Sequence, residues 1–422
     1  MDPILLAGLI FVVTYAVIAS DRFDKTLAAL LGGTGMVILG VVDQHDAFGA
    51  IDLNVIFLLA GMMILAGILR RTGFFQWLAI RSVKIAGGEP YRLLIVLSVV
   101  CAVISAFLDN VTTVVLIAPV TLYIASVLRI SPVPFLISEI LASNIGGTAT
   151  LIGDPPNILI GSAADLGFVD FIVNLGPAAL LILVAFIALT RVLFRADLAV
   201  HDEVRDAVLA LDEREVLTDV PLLRLSLGVI GATLGGFVFA GALGLEAGAI
   251  ALFAAAVLMV LSRLEVEAVL HEVEWPTLFF FVGLFMLVEG VSHVGIIDGV
   301  AEALIDLTAG DATVTAIGLV WLSGIASAIV DNIPYTATMI PVVEGLGRSG
   351  LPLEPLWWSL ALGACLGGNF TIVGASANVV VANLAGRAGH PITFREFFRY
   401  GSVVATLSLV IASAYVYVRY LL

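Results

Sequence analysis

The sequence predicts an all-α polytopic membrane protein made of two inverted-topology repeats. Of its 422 residues, 61% are hydrophobic and 13% are charged, and the mean hydropathy of +1.13 lies far above that of soluble domains. Apolar runs of about 16 to 20 residues recur along the whole chain, and each is long enough to cross the hydrocarbon core as a helix. The second half of the chain also repeats the residue pattern of the first half, which indicates an internal duplication.

Five membrane spans are predicted in each repeat, and one of the five is a broken helix. Those of the first repeat, residues 1–194, lie near 4–19, 26–42, 53–69, 132–165 (the broken helix) and 171–194. Those of the second repeat, residues 223–422, lie near 225–243, 247–262, 276–290, 355–386 (the broken helix) and 400–418. Residues 195–222 are the only extended charged stretch, and we expect them to form a cytoplasmic linker.

Each repeat also contains two apolar runs that are separated only by an Asp-Asn pair. These segments are 93–128, with Asp109-Asn110, and 312–346, with Asp331-Asn332. We expect re-entrant hairpins with the pair at the tip, and two full crossings that meet at the pair are the alternative. The amphipathic segment before the first hairpin, FFQWLAIRSVKIAGG, is predicted to lie along the membrane interface.

The two broken helices are interrupted at the motifs GGTATLIGDPPN and GGNFTIVGASAN. Pro155 and Pro156 cannot continue a helix, and the glycines of both motifs permit the chain to unwind. Unwound backbone at membrane depth has polar groups that need partners from protein, water or a ligand. We therefore expect both breaks to line a polar site near the middle of the membrane.

The register of the duplication and the distribution of charge predict the orientation of the chain. A shift of 222 residues places the first Asp-Asn pair on the second, and a shift of 221 places Asn157 on Asn378. With re-entrant hairpins and the N-terminus outside, 17 of the 19 lysines and arginines fall on the cytoplasmic side. Five crossings per repeat give the two repeats opposite orientations, as in secondary transporters. This predicts a multi-pass protein of the cell (inner) membrane with both termini outside.

Three acidic residues within the polar segments are candidate proton- or ion-coupling groups: Asp109, Asp331 and Asp154. An acidic side chain at the centre of a membrane helix costs about 2.5 to 3.5 kcal/mol, which favours a functional reason for its presence. The alternative for Asp109 and Asp331 is that each caps the second helix of its hairpin. Asp154 has Ala375 at its repeat position, so it is a third coupling group or, alternatively, a turn or cap residue. A sodium ion at the hairpin tips is the only metal considered.

The candidate substrate-binding residues are the amide and hydroxyl side chains of the same segments. They are Asn110, Thr113, Asn144, Thr148, Thr150, Asn157, Asn332, Thr336, Asn369, Thr371, Ser376 and Asn378. The motifs that carry them contain no Lys or Arg, so we expect a site without a fixed cation. The glycine-rich motif also lacks the Lys of a phosphate-binding loop, and two cysteines offer neither a disulfide framework nor a thiolate metal site.

No cofactor, nucleic-acid partner or enzymatic activity is predicted, beyond a proton or sodium ion that couples transport. The one enzyme class considered is an intramembrane aspartyl protease, because Asp109 and Asp331 could form a carboxylate dyad that shares a proton. Its G-x-G-D signature is missing from the chain, and proteolysis does not need a duplicated pair of broken helices. The sequence therefore favours a transporter.

Three stretches, SAFLDNVTTVVLIAPV, SNIGGTATLIGDPPNILIG and SAIVDNIPYTATMIPVV, resemble the ion transporter superfamily. The resemblance is to its ArsB/NhaD branch of arsenite permeases, sodium/proton antiporters and P-protein-like transporters, and it covers essentially the whole chain. It implies a scaffold and a mobile transport unit, made of hairpins and broken helices, that moves between the two membrane faces. Related sodium/dicarboxylate symporters carry Ser-Asn-Thr at the hairpin tips, whereas this chain has Asp109-Asn110-Val111 and Asp331-Asn332-Ile333. That departure favours proton or sodium coupling through the two aspartates.

The leading hypothesis for function is efflux of arsenite or antimonite, as the neutral trihydroxide, in exchange for protons by alternating access. The close alternative is sodium/proton antiport of the NhaD type through the same aspartates. A dicarboxylate or other anion permease and a passive channel are weaker alternatives. Besides the solute and the lipid bilayer, the partners considered are an arsenite-delivering ATPase subunit and a second copy of the chain in a homodimer.

Overall fold

The computed structural model describes residues 2–20, 22–194, 213 and 215–422, and these residues form helices without any strand. The helices of the first repeat are α1 (Pro3–Ser20), α2 (Lys25–Ile38), α3 (Gln44–Gly49), α4 (Leu53–Arg70), α5 (Phe74–Ala86), α6 (Pro90–Ser105), α7 (Asn110–Leu128), α8 (Val133–Gly147), α9 (Pro155–Ala163), α10 (Phe168–Asn174) and α11 (Gly176–Leu193). Those of the second repeat are α12 (Val220–Leu243), α13 (Ala247–Ser262), α14 (Val266–Leu270), α15 (Trp275–His293), α16 (Ile296–Thr308), α17 (Ala312–Ile329), α18 (Asn332–Arg348), α19 (Leu353–Gly367), α20 (Ser376–Arg387) and α21 (Phe394–Val416). A 3-10 turn at Ile372–Gly374 precedes α20, and a π-helical turn at Tyr417–Leu421 follows α21.

Eight stretches among the described residues are long and apolar enough to cross a membrane as helix. They are Pro3–Ser20, Gln44–Arg70, Asn110–Leu128, Gly176–Leu193, Val220–Leu243, Trp275–His293, Ala312–Ile329 and Phe394–Leu421. Four shorter apolar helices, α2, α6, α8 and α13, lie between them. The predicted all-helical, polytopic membrane fold of two inverted repeats is therefore confirmed.

Several boundaries differ from the prediction for local reasons. The span predicted near 171–194 divides into α10 and α11, because Pro177 at the start of α11 has no N–H to continue the helix before it. Helix α12 begins at Val220, inside the predicted linker, because the carboxylate of Asp219 accepts the Leu222 N–H at 2.9 Å and caps the helix. Helix α16, the counterpart of α5, is not among the predicted elements. Most of the predicted linker, with the charge pattern noted there, lies outside the described residues.

The two repeats contact each other through a reciprocal pair of helix crossings. Helix α2 packs along α15, and α13 packs along α4. Glycine permits the close approach at both crossings: a Cβ at Gly61 would lie 2.6 Å from the carbonyl carbon of Ala251, and one at Gly283 would lie 2.5 Å from that of Ala29. Small residues let membrane helices approach this closely and pack well. Gly61 and Gly283 occupy equivalent positions in the two repeats, so both crossings depend on a glycine at the point of closest approach.

A second set of contacts brings the polar motifs together. Within each repeat the first hairpin helix packs against the first half of the broken helix, which pairs α6 with α8 and α17 with α19. Across the repeats α7 contacts α20, and α18 contacts α9. Because α7 and α18 begin at the Asp-Asn pairs, and α9 and α20 begin after the breaks, all four polar motifs meet in one central region.

Candidate functional site

The two aspartates of the Asp-Asn pairs cap the helices that follow them. The Asp109 carboxylate accepts the Thr112 N–H at 2.8 Å at the start of α7, and the Asp331 carboxylate accepts the Ile333 N–H at 3.1 Å at the start of α18. The capping role that the sequence left open is therefore present at both positions. Each of these capping bonds uses one of the two carboxylate oxygens.

Two of the predicted threonines fasten the breaks to the hairpin tips. The Thr150 hydroxyl donates to the Ala106 carbonyl, and the Thr371 hydroxyl donates to the Ala328 carbonyl at 2.6 Å. Both accepting carbonyls lie just before the Asp-Asn pairs, where the first hairpin helices end. These equivalent bonds therefore tie each break to its own hairpin.

Two asparagines hold the unwound segments in shape. The Asn157 amide donates to the Thr150 carbonyl at 2.8 Å, and the Asn378 amide donates to the Thr371 carbonyl at the same distance. Both side chains are completely buried. They satisfy carbonyl groups that the interruption of each helix leaves without a helical partner.

A chain of buried amides crosses from the first repeat to the second. The Asn110 amide donates to the side-chain carbonyl of Asn144 at 3.1 Å. The Asn144 amide in turn donates to the side-chain oxygens of Asn369 at 2.9 Å and Asn378 at 3.0 Å. All four residues are at most 2% exposed. We call these four side chains the amide network, and it joins α7 and α8 to the break of the second repeat.

Asp154 points toward the other hairpin tip. Its carboxylate accepts the Asn332 amide at 3.1 Å and makes no capping bond to α9. The side-chain cap that was the alternative for Asp154 is therefore absent from the structure. Beside it, the Cys365 thiol donates to the side-chain oxygen of Asn157 at 3.4 Å. Asp154 is completely buried. Among the described residues, its carboxylate has only neutral polar groups as hydrogen-bond partners.

Two oxygen atoms in the first repeat have no hydrogen-bond partner within the described part of the chain. They are the side-chain carbonyl oxygen of Asn110 and the hydroxyl oxygen of Thr113. The two residues lie one turn apart on α7 and are 2% and 0% exposed. Buried polar atoms normally find partners, and an unpaired one costs about 1 to 3 kcal/mol. Both atoms can accept a hydrogen bond or bind a cation.

The hydroxyls of Thr148 and Thr336 form bonds within their own helices. Thr148 donates to the Asn144 carbonyl and Thr336 to the Asn332 carbonyl, each at 2.8 Å. Their oxygen atoms retain lone pairs that face the buried interior, because both residues are completely buried. These two candidates thus offer acceptors to a ligand while their protons are already engaged.

One charged residue at the site lies outside the motifs predicted from the sequence. The Lys25 ammonium, at the start of α2, lies 3.0 Å from the Asp331 carboxylate and 2.5 Å from the Ser376 hydroxyl. Ser376 also donates to the same carboxylate oxygen at 2.5 Å. The expectation of a site without a fixed cation is therefore wrong at the second hairpin tip. The available signal was a lysine in the first turn of a span, at a position where the other repeat has Ala247.

Two repeat-related cavities flank the central region. A cavity of about 340 Å³ is bounded by the α1–α2 turn, the tip of the second hairpin and the start of α20. A cavity of about 360 Å³ is bounded by the equivalent α12–α13 turn, the first break and α9. Two cations, Arg22 and Lys25, and two acids, Asp24 and Asp331, line the former, whereas Asp165, Asp170 and Glu246 line the latter. The first cavity therefore has balanced charges, and the second is acidic.

Comparison with known proteins identifies the class of molecule that this chain resembles. The sequence profile described as "citrate transporter" matches residues 15–363. An uncharacterised transporter of Mycobacterium bovis is 46% identical over 98% of both chains, and a 46 kDa membrane protein of Mycobacterium leprae is 44% identical over 99% of both. The human P protein is 34% identical over 98% of this chain and 60% of its own length.

Two solved structures resemble the fold over nearly the whole chain. The YdaH transporter of Alcanivorax borkumensis matches with a TM-score of 0.61 and 17% identity over 99% of this chain and 98% of YdaH. MtrF of Neisseria gonorrhoeae, which is described as representing a class of antimetabolite efflux pumps, matches with a TM-score of 0.62 and 13% identity over 99% and 95%. At these identities the likeness concerns the fold alone.

Proposed function

The chain belongs to the citrate transporter family and is a secondary transporter, and from this premise we propose that it exports arsenite or antimonite in exchange for protons. The solute is the neutral trihydroxide, and the solute site is the amide network with the unpaired oxygens of Asn110 and Thr113. Transport follows alternating access between the two flanking cavities.

The two unpaired oxygens are the observation that carries this proposal. A buried acceptor without a donor is costly in the empty protein, and a solute with several O–H groups removes that cost when it binds. A trihydroxide has three O–H donors and no charge. It therefore matches a buried region of amides and hydroxyls better than an ion that would have to lose its hydration shell there.

The charges around the site argue against a carboxylate solute. Asp109, Asp154 and Asp331 repel an anion, and the nearby ammonium of Lys25 is already paired with Asp331. A citrate-like anion would need at least one additional cation to enter such a site. The family description alone therefore does not make this chain a citrate carrier.

Asp154 is the proposed proton-coupling group. It is completely buried and bonded to the neutral amide of Asn332. A buried carboxylate without a paired cation is unfavourable, so we expect Asp154 to take up a proton or cation in at least one step of the cycle. Its contact with the second hairpin tip links that step to the relative movement of the two repeats.

The test uses proteoliposomes that contain the full-length chain. Arsenite uptake is measured with and without an imposed proton gradient for wild type, Asp154→Asn and the control Asp298→Asn. Asp298 is 62% exposed and pairs with Arg348 away from the site. We expect gradient stimulation in wild type and in the control, and a loss of at least about tenfold in Asp154→Asn. Absence of arsenite movement in wild type would contradict the proposal.

Sodium/proton antiport is a second candidate, favoured by the same oxygen atoms. Sodium is held by oxygen ligands such as amide carbonyls and hydroxyls, which Asn110 and Thr113 offer beside the Asp109 carboxylate. Everted vesicles distinguish the two functions. Recovery of an acid interior on addition of sodium chloride, without arsenite, would support antiport of sodium and would remove arsenite as the solute.

The proposal also covers the orientation of the chain in the membrane, its cellular location and its protein partners. Insertion in the cell (inner) membrane with both termini outside predicts that a cysteine placed after Leu422 reacts with an impermeant thiol reagent added to intact cells. An arsenite-delivering ATPase subunit and a homodimer are the partners to be sought. Co-purification with the ATPase and cross-linking of two differently tagged copies would identify them.

A further inference from the structure

We call the Asp-Asn pair and the helix break of one repeat a half-site. The two half-sites differ in charge although their sequence motifs are equivalent. Each has an Asp-Asn pair at the start of a hairpin helix, but an ion pair among the described residues involves Asp331 and not Asp109. The Lys25 ammonium lies 3.0 Å from Asp331, whereas Ala247 occupies the equivalent position in the other repeat. Within the described part of the chain, the second half-site thus has a paired cation and the first does not.

The Lys25 side chain is 35% exposed, but its ammonium has the partners of a bound cation. Its ammonium contacts the Asp331 carboxylate, the Ser376 hydroxyl at 2.5 Å and the face of the Phe280 ring, whose centre is 5.2 Å away. Two oxygens and an aromatic face are a favourable environment for a monovalent cation. Asp331 is only 10% exposed, so a free carboxylate there would need some counter-charge.

The contacts of Lys25 join three elements that come from both repeats. Lys25 begins α2, Asp331 precedes α18, and Ser376 begins α20 after the break. Helix α2 packs along α15 in the contact between repeats, whereas α18 and α20 carry the polar motifs. The ammonium therefore reaches from that inter-repeat contact into the second half-site, through the wall of a cavity of about 340 Å³.

We propose that Lys25 is a tethered counter-ion that takes the place of a soluble monovalent cation at Asp331 and Ser376. The second half-site therefore needs no sodium ion to neutralise its carboxylate. Ion coupling is confined to Asp109 and Asp154, which lack such a lysine. One consequence rests on the proposed transport function. Each transport cycle moves one coupling cation fewer than it would if both half-sites bound a soluble cation.

Removal of the ammonium should turn this half-site into a sodium site. Lys25→Met keeps most of the length of the side chain and removes its charge, which leaves Asp331 with the Ser376 hydroxyl in a partly open cavity. A ligand that binds only the folded state raises its melting temperature as the ligand concentration rises. Sodium binding can therefore be measured without any transported solute, so failure of the arsenite proposal does not affect this test.

The experiment compares thermal unfolding of the purified full chain in sodium chloride and in choline chloride at equal ionic strength. Lys25→Met should gain a sodium-dependent rise in Tm of about 2 °C or more. Lys25→Arg, which keeps the charge, and Lys25→Met combined with Asp331→Asn should lack that gain. Arg22→Met is the matched control, because Arg22 lines the same cavity without an ion pair to Asp331 among the described residues. A folded Lys25→Met protein without the sodium-dependent shift would overturn the inference.

A second measurement keeps the inference testable if Lys25→Met does not fold. Binding of radioactive sodium is counted for wild type and for Asp331→Asn, which retains the helix cap. Equal stoichiometry in the two proteins supports a tethered counter-ion, since Asp331 of the wild type then holds no sodium. Loss of one sodium ion in Asp331→Asn would show that Lys25 does not replace it.

Discussion

Asn144 and Cys365 occupy equivalent positions in the two repeats, and each donates a hydrogen bond across the repeat boundary to the asparagine of the opposite break. The Asn144 amide lies 3.0 Å from the Asn378 side-chain oxygen, and the Cys365 thiol lies 3.4 Å from that of Asn157. The duplication has kept the direction of this contact and changed its strength, because a thiol is a weak donor. Asn144, the residue of the first repeat, also forms hydrogen bonds with Asn110 and Asn369.

The different hydrogen bonds of Asn144 and Cys365 predict that mutation of the two residues lowers stability by different amounts. Asn144→Leu leaves three buried amide groups without their partner, at about 1 to 3 kcal/mol for each. Cys365→Ala removes one weak bond and a small volume, for about 1 kcal/mol. Thermal unfolding of the purified variants should show the larger fall in Tm for Asn144→Leu, with loss of transport in that variant only. Equal falls in Tm would contradict the role of the amide network.

Thr113 provides a test that separates binding from stability. Thr113→Val removes a buried hydroxyl that has no partner among the described residues, so Tm should stay constant or rise. The same change removes an acceptor for the solute, and KM should increase about tenfold, which corresponds to about 1.4 kcal/mol. Tm from unfolding and KM from proteoliposome uptake are the two measurements.

The matched control for Thr113 is Thr121, on the same helix. The Thr121 hydroxyl donates to the buried Glu139 carboxylate at 2.6 Å. Thr121→Val should therefore lower Tm, because it leaves Glu139 without this bond, while KM remains unchanged. A fall in Tm together with a normal KM for Thr113→Val would mean that the Thr113 hydroxyl has a structural role only.

Local sequence signals could predict most of the fold and part of the site. These signals are the apolar runs, the prolines and glycines of the breaks, and the Asp-Asn pairs. Each acts within a few residues, and each occurs twice because of the duplication. The local signal for Lys25, a lysine in the first turn of a span, does not identify its partner, because Asp331 lies 306 residues away. The contact depends on how α2 packs beside the second repeat, which no short pattern encodes. The missing partner of Thr113 is likewise a property of packing.

The inter-repeat crossings predict where added volume destabilises the protein. Gly283→Ala places a methyl group 2.5 Å from the Ala29 carbonyl carbon, so α2 and α15 must separate. Overpacking of this kind costs about 1 to 3 kcal/mol, and Tm should fall. Gly235→Ala on α12 is the control, because no atom lies within 4 Å of the added methyl group in the described structure. The same Tm for both variants would exclude a tight crossing at Gly283.

The described end of the linker predicts a pH-dependent attachment to the first repeat. Glu213 accepts hydrogen bonds from Lys84 and from Arg81, the latter at 3.1 Å, on helix α5. The bond from the Lys84 ammonium is the main cause that lowers the pKa of Glu213 from 4.5 to about 2. Because the folded pKa is the lower one, the attachment is fully stabilising above about pH 5 and is lost as the pH falls toward 2.

Proteolysis of the linker measures this attachment. Glu213→Gln keeps the shape of the side chain and removes the charge, so the linker should be cleaved faster than in wild type at pH 7. The difference between the two proteins should shrink as the pH falls below about 4, where the wild-type bonds weaken as well. Glu215→Gln is the matched control two residues away, and it should behave as wild type because its carboxylate forms no ion pair among the described residues. Equal cleavage of Glu213→Gln and wild type at pH 7 would show that these bonds do not hold the linker.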